Sequence, residues 1–583
     1  MRTRHAWIHV VGVCFVLLAT RGSAEEATSL TSARAATATA HAIDVARIDR
    51  MIEARTAAGQ FMGSVLIAKN GKTLLSKGYG QASLADNIPN TPATKFRLGS
   101  VTKQFTAASI LLLEEQGKLK VEDPIKKYMP DAPAAWDSIT FFHLLTHTSG
   151  IPNYTSFPEY RSTEAVTQTP TEVVGRFRDK PLNFTPGASW EYSNSGYVLL
   201  GYLIEKISGE TYGKFVHDNL FAPLGMKDSG YDSSTEKIAG RAVGYTPGPG
   251  GPMVAPFVDM SIPFSAGALY STTQDMLRWE QGLFGGKVLK PSSFAKMTTP
   301  FKNNYAMGVG VAPGPKSGKV ISHSGGIEGF NTKVTYITAD TLTIIVLANL
   351  NGVAADEISA DIQKVAYNEP VIFSNERKVA SISPEALNRI AGKYRMETGQ
   401  SFVVTRADDH LRAMGGPQPM ELYPESETKF FAKANDVQAA FESDAQGRVT
   451  GAALTLRGQK IPLTRLTEAD AQQQADALAK KIREQTPTPG SEAAVRRTLE
   501  DVAAGTPNYD ELGVTLAAAV KQQLPTMQPM LQRMGAIKSV EFKGVGPAGA
   551  DIYNVGLENG KVEVRITLDA GGKVVGEMLR PLP

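Results

Sequence analysis

The chain has 583 residues, a formal net charge of +3 and one cysteine. At roughly 150 residues per domain this length predicts three or four domains, and the ordinary hydrophobic and charged content excludes a mostly disordered, collagen-like or coiled-coil chain. Residues 1–24 carry three arginines and no acidic residue. The chain without them is therefore neutral, and we expect neither nucleic acid nor an anionic membrane as a partner.

The N-terminus has the features of a secretory signal. Arg2 and Arg4 precede an apolar run over 10–19, and small residues end at Ala24. Because the run is too short to span a bilayer comfortably, we expect cleavage after Ala24 and a secreted or periplasmic protein, with an uncleaved anchor as the alternative. Cys14 lies inside the run rather than at the cleavage site, which argues against a lipoprotein. The mature chain then has no cysteine for a disulfide, a thiolate metal site or a nucleophile.

Hydrophobic spacing and turn residues predict the elements that follow. In chain order they are a helix over 43–58, a hairpin over 61–79 turned at Asn70-Gly71, helices over 100–116 and 196–208, and strands over 320–323, 332–337 and 342–347. Strands at both ends with helices between them predict one α+β domain whose antiparallel sheet joins distant segments. No later apolar run is long enough to span a membrane.

The remaining sequence changes character twice. Short strand-like runs separated by turn residues predict a small all-β domain, an Ala- and Gln-rich stretch ending in Thr-Pro-Thr-Pro-Gly predicts a linker, and helical patterns followed by three strands predict a second α+β unit. The expected organisation is a signal peptide over 1–24, a flexible lead-in over 25–42, an α+β domain over 43–372, an all-β domain over 385–466, a linker over 467–490 and an α+β domain over 491–583.

Ser100 and Lys103 open the apolar helical run at 100–116. Residues at i and i+3 share one helix face, so the hydroxyl and the amine can meet. A serine is a weak nucleophile until a neighbour takes its proton, and burial can keep a lysine neutral for that task. The spacing alone is common in this chain, and a helix cap beside a solvated lysine explains it equally well.

Two further motifs carry polar side chains suited to a cleft. Tyr192-Ser-Asn194 precedes the helix at 196–208, where a phenol can relay a proton and an amide can bind substrate. His323-Ser-Gly325-Gly326 lies at the end of a predicted strand, along whose edge a substrate can lie, and the N–H groups of Ser100 and Gly326 can form an oxyanion hole. Lys316-Ser-Gly318 is a rival for this third motif, but its surroundings predict a turn.

Together, and in this order, the motifs resemble those of the serine β-lactamase and penicillin-binding-protein superfamily. The chain is similar to the class C-like branch, which includes class C β-lactamases, D-alanyl-D-alanine carboxypeptidases, D-aminopeptidases and related esterases. The supporting phrases are Phe96-Arg-Leu-Gly-Ser-Val-Thr-Lys103, His143-Leu-Leu-Thr-His-Thr-Ser-Gly150, Pro223-Leu-Gly-Met226 and His323-Ser-Gly-Gly326. The resemblance covers about 43–372 and implies a β-lactamase-like α+β fold.

The resemblance also implies the roles of the site residues. Ser100 is then the acylated nucleophile, Lys103 and Tyr192 the general bases and acids, and Asn194, His323 and Gly325 bind substrate, without a metal or other cofactor. The lysine usual in the third motif of antibiotic-hydrolysing members is His323 here. A neutral imidazole is a poorer partner for a substrate carboxylate, which counts against efficient β-lactam hydrolysis and leaves esters, amides and D-amino-acid peptides open.

The expected function is a secreted serine hydrolase that forms a covalent acyl-enzyme on a small-molecule or short-peptide amide or ester. The alternative is a penicillin-recognising sensor that acylates and turns over slowly. An α/β-hydrolase would need a Gly-x-Ser-x-Gly turn, which is absent. A zinc enzyme is disfavoured because His143 and His147 lack the glutamate of His-Glu-x-x-His.

The two C-terminal units bear looser likenesses. Residues 385–466 resemble the lipocalin-like β-barrel appended to some of these hydrolases, and residues 491–583 resemble a ketosteroid-isomerase-like cone of helices on a curved sheet. Neither supplies a residue expected to be catalytic. The resemblance implies that such tails shape the cleft entrance or mediate assembly, which leaves a homo-oligomer through the C-terminal domains open.

Overall fold

The structure is a computed structural model. It describes residues 42–248, 250–415, 419–433, 437–456 and 459–582. The expected signal peptide over 1–24, and all but the last residue of the expected lead-in over 25–42, lie outside the described residues. Within the described ranges, no helix is both long and apolar enough to cross a membrane.

A six-stranded antiparallel sheet lies at the centre of the first part of the chain. Its strands are β1 (Gly63–Lys69), β2 (Lys72–Tyr79), β3 (Gly310–Pro313), β4 (Lys319–Ile327), β5 (Phe330–Ile337) and β6 (Leu342–Ala348). Their order in the sheet is β3-β4-β5-β6-β1-β2, so β1 pairs with its hairpin partner on one side and with the distant β6 on the other. The predicted sheet that joins distant segments is confirmed.

Helices cover both faces of this sheet. The long ones are α1 (Val45–Ala57), α2 (Thr102–Glu115), α3 (Asn194–Ser208), α4 (Thr273–Phe284) and α5 (Ala354–Ala366). Shorter helices lie at Phe141–Leu145, Tyr160–Thr163, Pro170–Arg178, Tyr212–Val216, Ala222–Leu224, Phe264–Gly267 and Pro291–Met297, and short strands lie at Gln81–Ser83, Ile88–Pro89, Phe96–Arg97, Gly230–Tyr231, Tyr245–Gly248, Gly251–Val254 and Leu269–Ser271.

The alternation of side chains along the central strands places two cores on opposite faces. Ile67 and Ile344 belong to the cluster that includes the buried residues of α1 and α5. Leu66 and Ile345 belong to the larger cluster that includes α2 and α3. Since both faces of β1 and β6 are covered, these strands are apolar along almost their whole length.

Two local features refine the sequence-based prediction. The turn at Asn70-Gly71 has positive φ at both residues, as the hairpin signal requires. The helix predicted over 100–116 starts as a 3₁₀ turn at Gly99–Val101 and continues as α2. The strand predicted over 320–323 extends to Ile327, so the expectation that His323 lies at a strand end is wrong: pairing with β5 continues through the glycines.

The second part is a closed eight-stranded barrel. Its strands are β7 (Gly392–Met396), β8 (Ser401–Ala407), β9 (His410–Met414), β10 (Met420–Pro424), β11 (Lys429–Phe431), β12 (Val437–Ser443), β13 (Val449–Leu456) and β14 (Gln459–Leu466). Consecutive strands pair, and β7 pairs with β14 to close the ring. The predicted barrel-like domain is confirmed, and a helix not foreseen, Pro384–Ile390, precedes it.

The C-terminal part is an α+β unit. It follows α6 (Glu468–Glu484), and it consists of α7 (Ser491–Ala504), α8 (Val514–Met534), β15 (Ile537–Val545), β16 (Asp551–Leu557), β17 (Gly560–Leu568) and β18 (Val574–Leu582). The sheet has four strands where three were expected. Most of the segment expected as a linker is the helix α6, which buries no residue.

Candidate active site

Ser100 and Lys103 meet at the start of α2. Ser100 is half-buried in the 3₁₀ turn, while Lys103 is 0% exposed. The Lys103 Nζ atom lies 3.0 Å from Ser100 Oγ. The spacing of three residues therefore brings hydroxyl and amine together, as the sequence predicted.

The other neighbours of the Lys103 amine are oxygen atoms that only accept hydrogen bonds. Nζ donates to Asn194 Oδ1 and to the Ala266 carbonyl, each at 2.8 Å. Burial lowers the pKa of Lys103 well below its ordinary value, and no charged neighbour opposes this shift. A neutral amine has two N–H bonds, which these two oxygens take. The remaining lone pair then faces Ser100 and can receive its proton.

Glycines let the Ser100 turn approach β4 closely. A Cβ on Gly325 would lie 2.0 Å from the Leu98 carbonyl oxygen, and a Cβ on Gly99 would lie 2.9 Å from the Gly326 nitrogen. Gly325 is buried whereas Gly326 is exposed. Packing against Leu98 thus explains the glycine at 325, whose contact with substrate stays a prediction. Gly326 lies beside the turn, as an oxyanion hole requires.

Tyr192 and Asn194 lie on the other side of Lys103. The Lys103 Nζ atom is 4.9 Å from the centroid of the half-buried Tyr192 ring. Asn194 is the first residue of α3, and its Nδ2 donates to Thr155 Oγ1 at 3.2 Å. Its Oδ1 thereby faces the lysine. The amide predicted to bind substrate thus also holds the amine in place.

His323 lies on β4 and is 8% exposed. Its Nδ1 lies 2.6 Å from the Ser324 carbonyl oxygen and its Nε2 lies 2.9 Å from Tyr305 Oη. Since a carbonyl only accepts, these partners assign the proton to Nδ1 and make Nε2 the acceptor of the Tyr305 hydroxyl. Burial lowers the pKa of His323 to about 3. The imidazole is therefore neutral at physiological pH, and both nitrogens are engaged.

The rival third motif lies elsewhere. Lys316 lies in a 3₁₀ turn before β4, and its Nζ pairs with Asp340 at 2.8 Å. The two histidines considered as zinc ligands each accept a backbone N–H through Nδ1, His143 from Thr140 and His147 from Ser193. Across the described ranges, no group of three or more histidine, cysteine or carboxylate side chains is arranged to hold a metal ion.

Sequence reasoning missed two residues that shape the site. Tyr305 binds His323 from the segment before β3, and Ala266 offers its carbonyl to Lys103 from a one-turn helix. Neither lies in a recognisable motif, and a backbone carbonyl leaves no trace in the sequence. His147 lies within one of the phrases that carry the resemblance, but nothing in the sequence indicates that it contacts Tyr192.

Comparisons with known proteins agree with this geometry. A family model described as "Beta-lactamase" matches residues 48–368, and one described as a domain of unknown function, DUF3471, matches residues 376–474. "Penicillin-binding protein 4*" of Bacillus subtilis is 31% identical over 411 residues, which is 66% of this chain and 90% of the relative. "Putative penicillin-binding protein PbpX" of the same organism is 34% identical over 294 residues, which is 50% of this chain and 71% of the relative.

A solved structure also resembles the chain. The octameric penicillin-binding protein homologue from Pyrococcus abyssi superimposes with a TM-score of 0.53 at 26% sequence identity. The match covers 72% of this chain and 100% of that one. Since it spans more than the β-lactamase-like part, the likeness reaches into the C-terminal half.

Proposed function

The chain belongs to the beta-lactamase family, and from this premise we propose that it is a serine hydrolase that transfers an acyl group from an ester or amide to Ser100 and then to water. One observation carries the proposal. The Lys103 amine is fully buried, has no carboxylate partner among the residues that the structure describes, and lies 3.0 Å from the Ser100 hydroxyl. A base in this state can deprotonate a serine near neutral pH.

Acylation proceeds in two stages. The Ser100 oxygen attacks the substrate carbonyl while its proton passes to Lys103 Nζ, and the N–H groups of Ser100 and Gly326 stabilise the oxyanion that forms. The intermediate then expels the alcohol or amine, which takes up a proton from Lys103 directly or through Tyr192. A water molecule then attacks the acyl carbon while its proton passes through Tyr192 to the neutral Lys103, or to a group of the substrate. The intermediate expels the Ser100 oxygen, which takes up that proton, and the acid is released.

The state of His323 favours substrates without a carboxylate at that position. Its Nδ1–H is held by Ser324 and its Nε2 accepts from Tyr305, so the ring presents neither a positive charge nor a free N–H to an anion. Recognition of a carboxylate depends on such charge-assisted donors. We therefore propose short esters and amides as better substrates than penicillins or peptides with a free C-terminal carboxylate.

The proposal is tested by labelling and turnover with the full mature chain. A fluorescent fluorophosphonate and a fluorescent penicillin report acylation, and peptide mapping locates the label. Turnover is followed with p-nitrophenyl esters, D-amino-acid amides, D-alanyl peptides and nitrocefin, with Ser100→Ala as the matched control. We expect labelling at Ser100 and faster turnover of the uncharged esters and amides than of nitrocefin.

Two outcomes separate the proposal from its alternatives. Penicillin labelling that persists without turnover of any substrate would identify a sensor instead of a hydrolase. If the wild-type chain shows neither labelling at Ser100 nor ester turnover, an acylating mechanism is excluded.

Location and assembly form a further part of the proposal. We propose export with cleavage after Ala24, on the basis of the N-terminal pattern, and N-terminal sequencing of the protein purified from its natural host should begin at Glu25.

We also propose self-association through the C-terminal units, because a homologue of similar structure is described as octameric. Light scattering on the purified chain should give a mass that is a multiple of the protomer's.

A further inference from the structure

His147 is held in an unusual position next to the site. Its φ is +57°, in the left-handed region that residues with a Cβ rarely adopt and that costs roughly 1–2 kcal/mol. Its side chain is also almost fully buried, at 2% exposed. A strained, buried histidine persists where its surroundings over-determine its conformation, so its contacts identify what the strain maintains.

His147 accepts hydrogen bonds from the two residues on either side of Tyr192. The Glu191 N–H donates to the His147 carbonyl at 3.0 Å, and the Ser193 N–H donates to His147 Nδ1 at 3.2 Å. The residues immediately before and after the tyrosine are therefore fixed to the same histidine. The imidazole also packs on the phenol itself, with ring centroids 4.3 Å apart.

Among the described residues, the imidazole makes its hydrogen bond through Nδ1, to the segment that carries Tyr192. Because Nδ1 accepts from a backbone N–H, the proton lies on Nε2, which is buried and has no hydrogen-bond partner among the described residues. Burial holds the pKa of His147 well below its ordinary value. A buried unpaired N–H costs about 1–3 kcal/mol, so the useful parts of the side chain are Nδ1 and the ring face.

We propose that His147 is a positioning residue that fixes the Tyr192 phenol beside the Lys103 amine, through its carbonyl, its Nδ1 and its ring. This inference rests on the proposed function, in which Tyr192 moves protons during acylation and deacylation. The His147 side chain accepts a backbone N–H and packs on the Tyr192 ring, so its effect on the reaction passes through Tyr192. Its removal should therefore lower the rate of the chemical steps and leave substrate binding almost unchanged.

The chain offers a matched pair of variants. In His147→Asn, the amide oxygen can replace Nδ1 as acceptor for the Ser193 N–H, and asparagine tolerates the left-handed φ better than other residues with a side chain. In His147→Leu, the side chain is of similar size but has no acceptor. We expect His147→Leu to lower kcat for ester hydrolysis about 10- to 100-fold, within the range of general acid–base effects, with KM changed less than about threefold and with kcat largely restored in His147→Asn.

A double-mutant cycle with Tyr192→Phe distinguishes positioning from general destabilisation. If His147 acts through the phenol, His147→Leu should have little further effect on kcat in the Tyr192→Phe chain. An equal loss in both backgrounds, or a loss in His147→Asn as large as in His147→Leu, would overturn the proposal.

A structural readout makes the test independent of activity. In protein labelled with ¹³C-tyrosine, the Tyr192 ring signal is assigned by its loss in Tyr192→Phe. It should stay in place in His147→Asn and shift or broaden in His147→Leu, and an unchanged signal in His147→Leu would refute the positioning role. Failure of the proposed function would instead appear as a wild-type chain that neither labels at Ser100 nor hydrolyses esters, while the tyrosine signal still reports on His147.

Discussion

Lys103 is a buried lysine that has no acidic partner in the described part of the chain, a combination that is costly for a charged amine. Moving an ammonium group out of water costs several kcal/mol, and the shift of the pKa well below its ordinary value reflects this cost. The amine avoids most of it by losing its proton. At this scale, the reactivity of Ser100 follows from the burial of one nitrogen atom among uncharged oxygen acceptors.

Replacing Lys103 should abolish acylation without unfolding the protein. For Lys103→Ala we expect labelling of Ser100 by the fluorophosphonate to slow by at least about 100-fold, the scale of general-base catalysis. Lys103→Arg should be equally slow, because a guanidinium keeps its proton. Rates come from gel fluorescence over time, and thermal melting checks the fold. Full labelling of the alanine variant would show that another group acts as the base.

Glu280 gives a second, independent consequence of burial. It lies on α4, is 2% exposed, and burial raises its pKa to about 8. The folded state therefore keeps a proton that the unfolded chain releases above its ordinary pKa. Stability from this group is present at low pH and is lost as the pH rises towards 8, by up to about 1.4 kcal/mol per pH unit.

Glu280→Gln should remove the loss of stability that accompanies a rise in pH. Denaturant unfolding at pH 5, 6, 7 and 8 should show a flatter pH dependence than that of the wild-type chain and a higher free energy of unfolding at pH 8. Glu500→Gln, at an exposed position of α7, is the control and should leave the pH dependence as it is. The same slope in Glu280→Gln as in the wild-type chain would contradict the raised pKa.

At the scale of elements, the contact between β4 and the Ser100 turn determines the geometry of the site. A Cβ at Gly325 would meet the Leu98 carbonyl oxygen at 2.0 Å, whereas a Cβ at Gly326 would meet only Asn331 Nδ2 at 3.3 Å. We expect Gly325→Ala to destabilise the protein by about 1–3 kcal/mol, as overpacking does, and to displace Ser100. Slower labelling and a lower melting temperature should accompany this change.

Gly326→Ala is the matched control for stability, since the tip of the Asn331 side chain can move aside. Its melting temperature should stay close to that of the wild-type chain. If Gly325→Ala melts as high as Gly326→Ala, the close approach of the turn to the strand is not a requirement of the fold.

The helical period explains why part of the site could be predicted and part could not. Ser100 and Lys103 lie on one helix, so their separation in sequence fixes their separation in space. Asn194 and His323 could be named but not placed, because their contacts depend on how distant elements pack. Tyr305 and the Ala266 carbonyl come from short segments without a periodic signal, and only the folded chain brings them to the site.

The expected linker shows how composition and local structure can differ. Its many alanines and glutamines indicate low-complexity sequence, yet they are good helix formers, and Thr467 accepts the Asp470 N–H to cap α6. The helix buries no residue, so no hydrophobic periodicity marks it in the sequence.

At the scale of the whole molecule, the C-terminal unit contacts the segment that leads into Tyr192. The Arg533 guanidinium at the end of α8 lies 5.4 Å from the Phe184 ring centroid, its Nη1 donates to Ser189 Oγ at 3.3 Å, and its Nη2 lies 4.0 Å from Glu191. Such half-exposed contacts contribute about 1 kcal/mol in total. Arg533→Ala should therefore lower kcat/KM for ester hydrolysis by about fivefold.

The control for this prediction is Arg496→Ala, which removes an arginine of α7 that forms an ion pair with Glu492 on the same helix. Esterase assays on both variants, with melting curves for the fold, give the comparison. Equal activities would show that the C-terminal unit does not influence the site through Arg533.

The pairing of β1 with β6 also has a consequence for the growing polypeptide. Gly63 lies opposite Ala348, so the edge of the first hairpin has no partner until most of the hydrolase part has left the ribosome. Until then Lys103 is hydrated and carries its proton, and Ser100 is an ordinary alcohol. Chemical reactivity thus arises late, at the moment when the sheet closes, and an unfinished or unfolded chain is inert towards acyl donors around it.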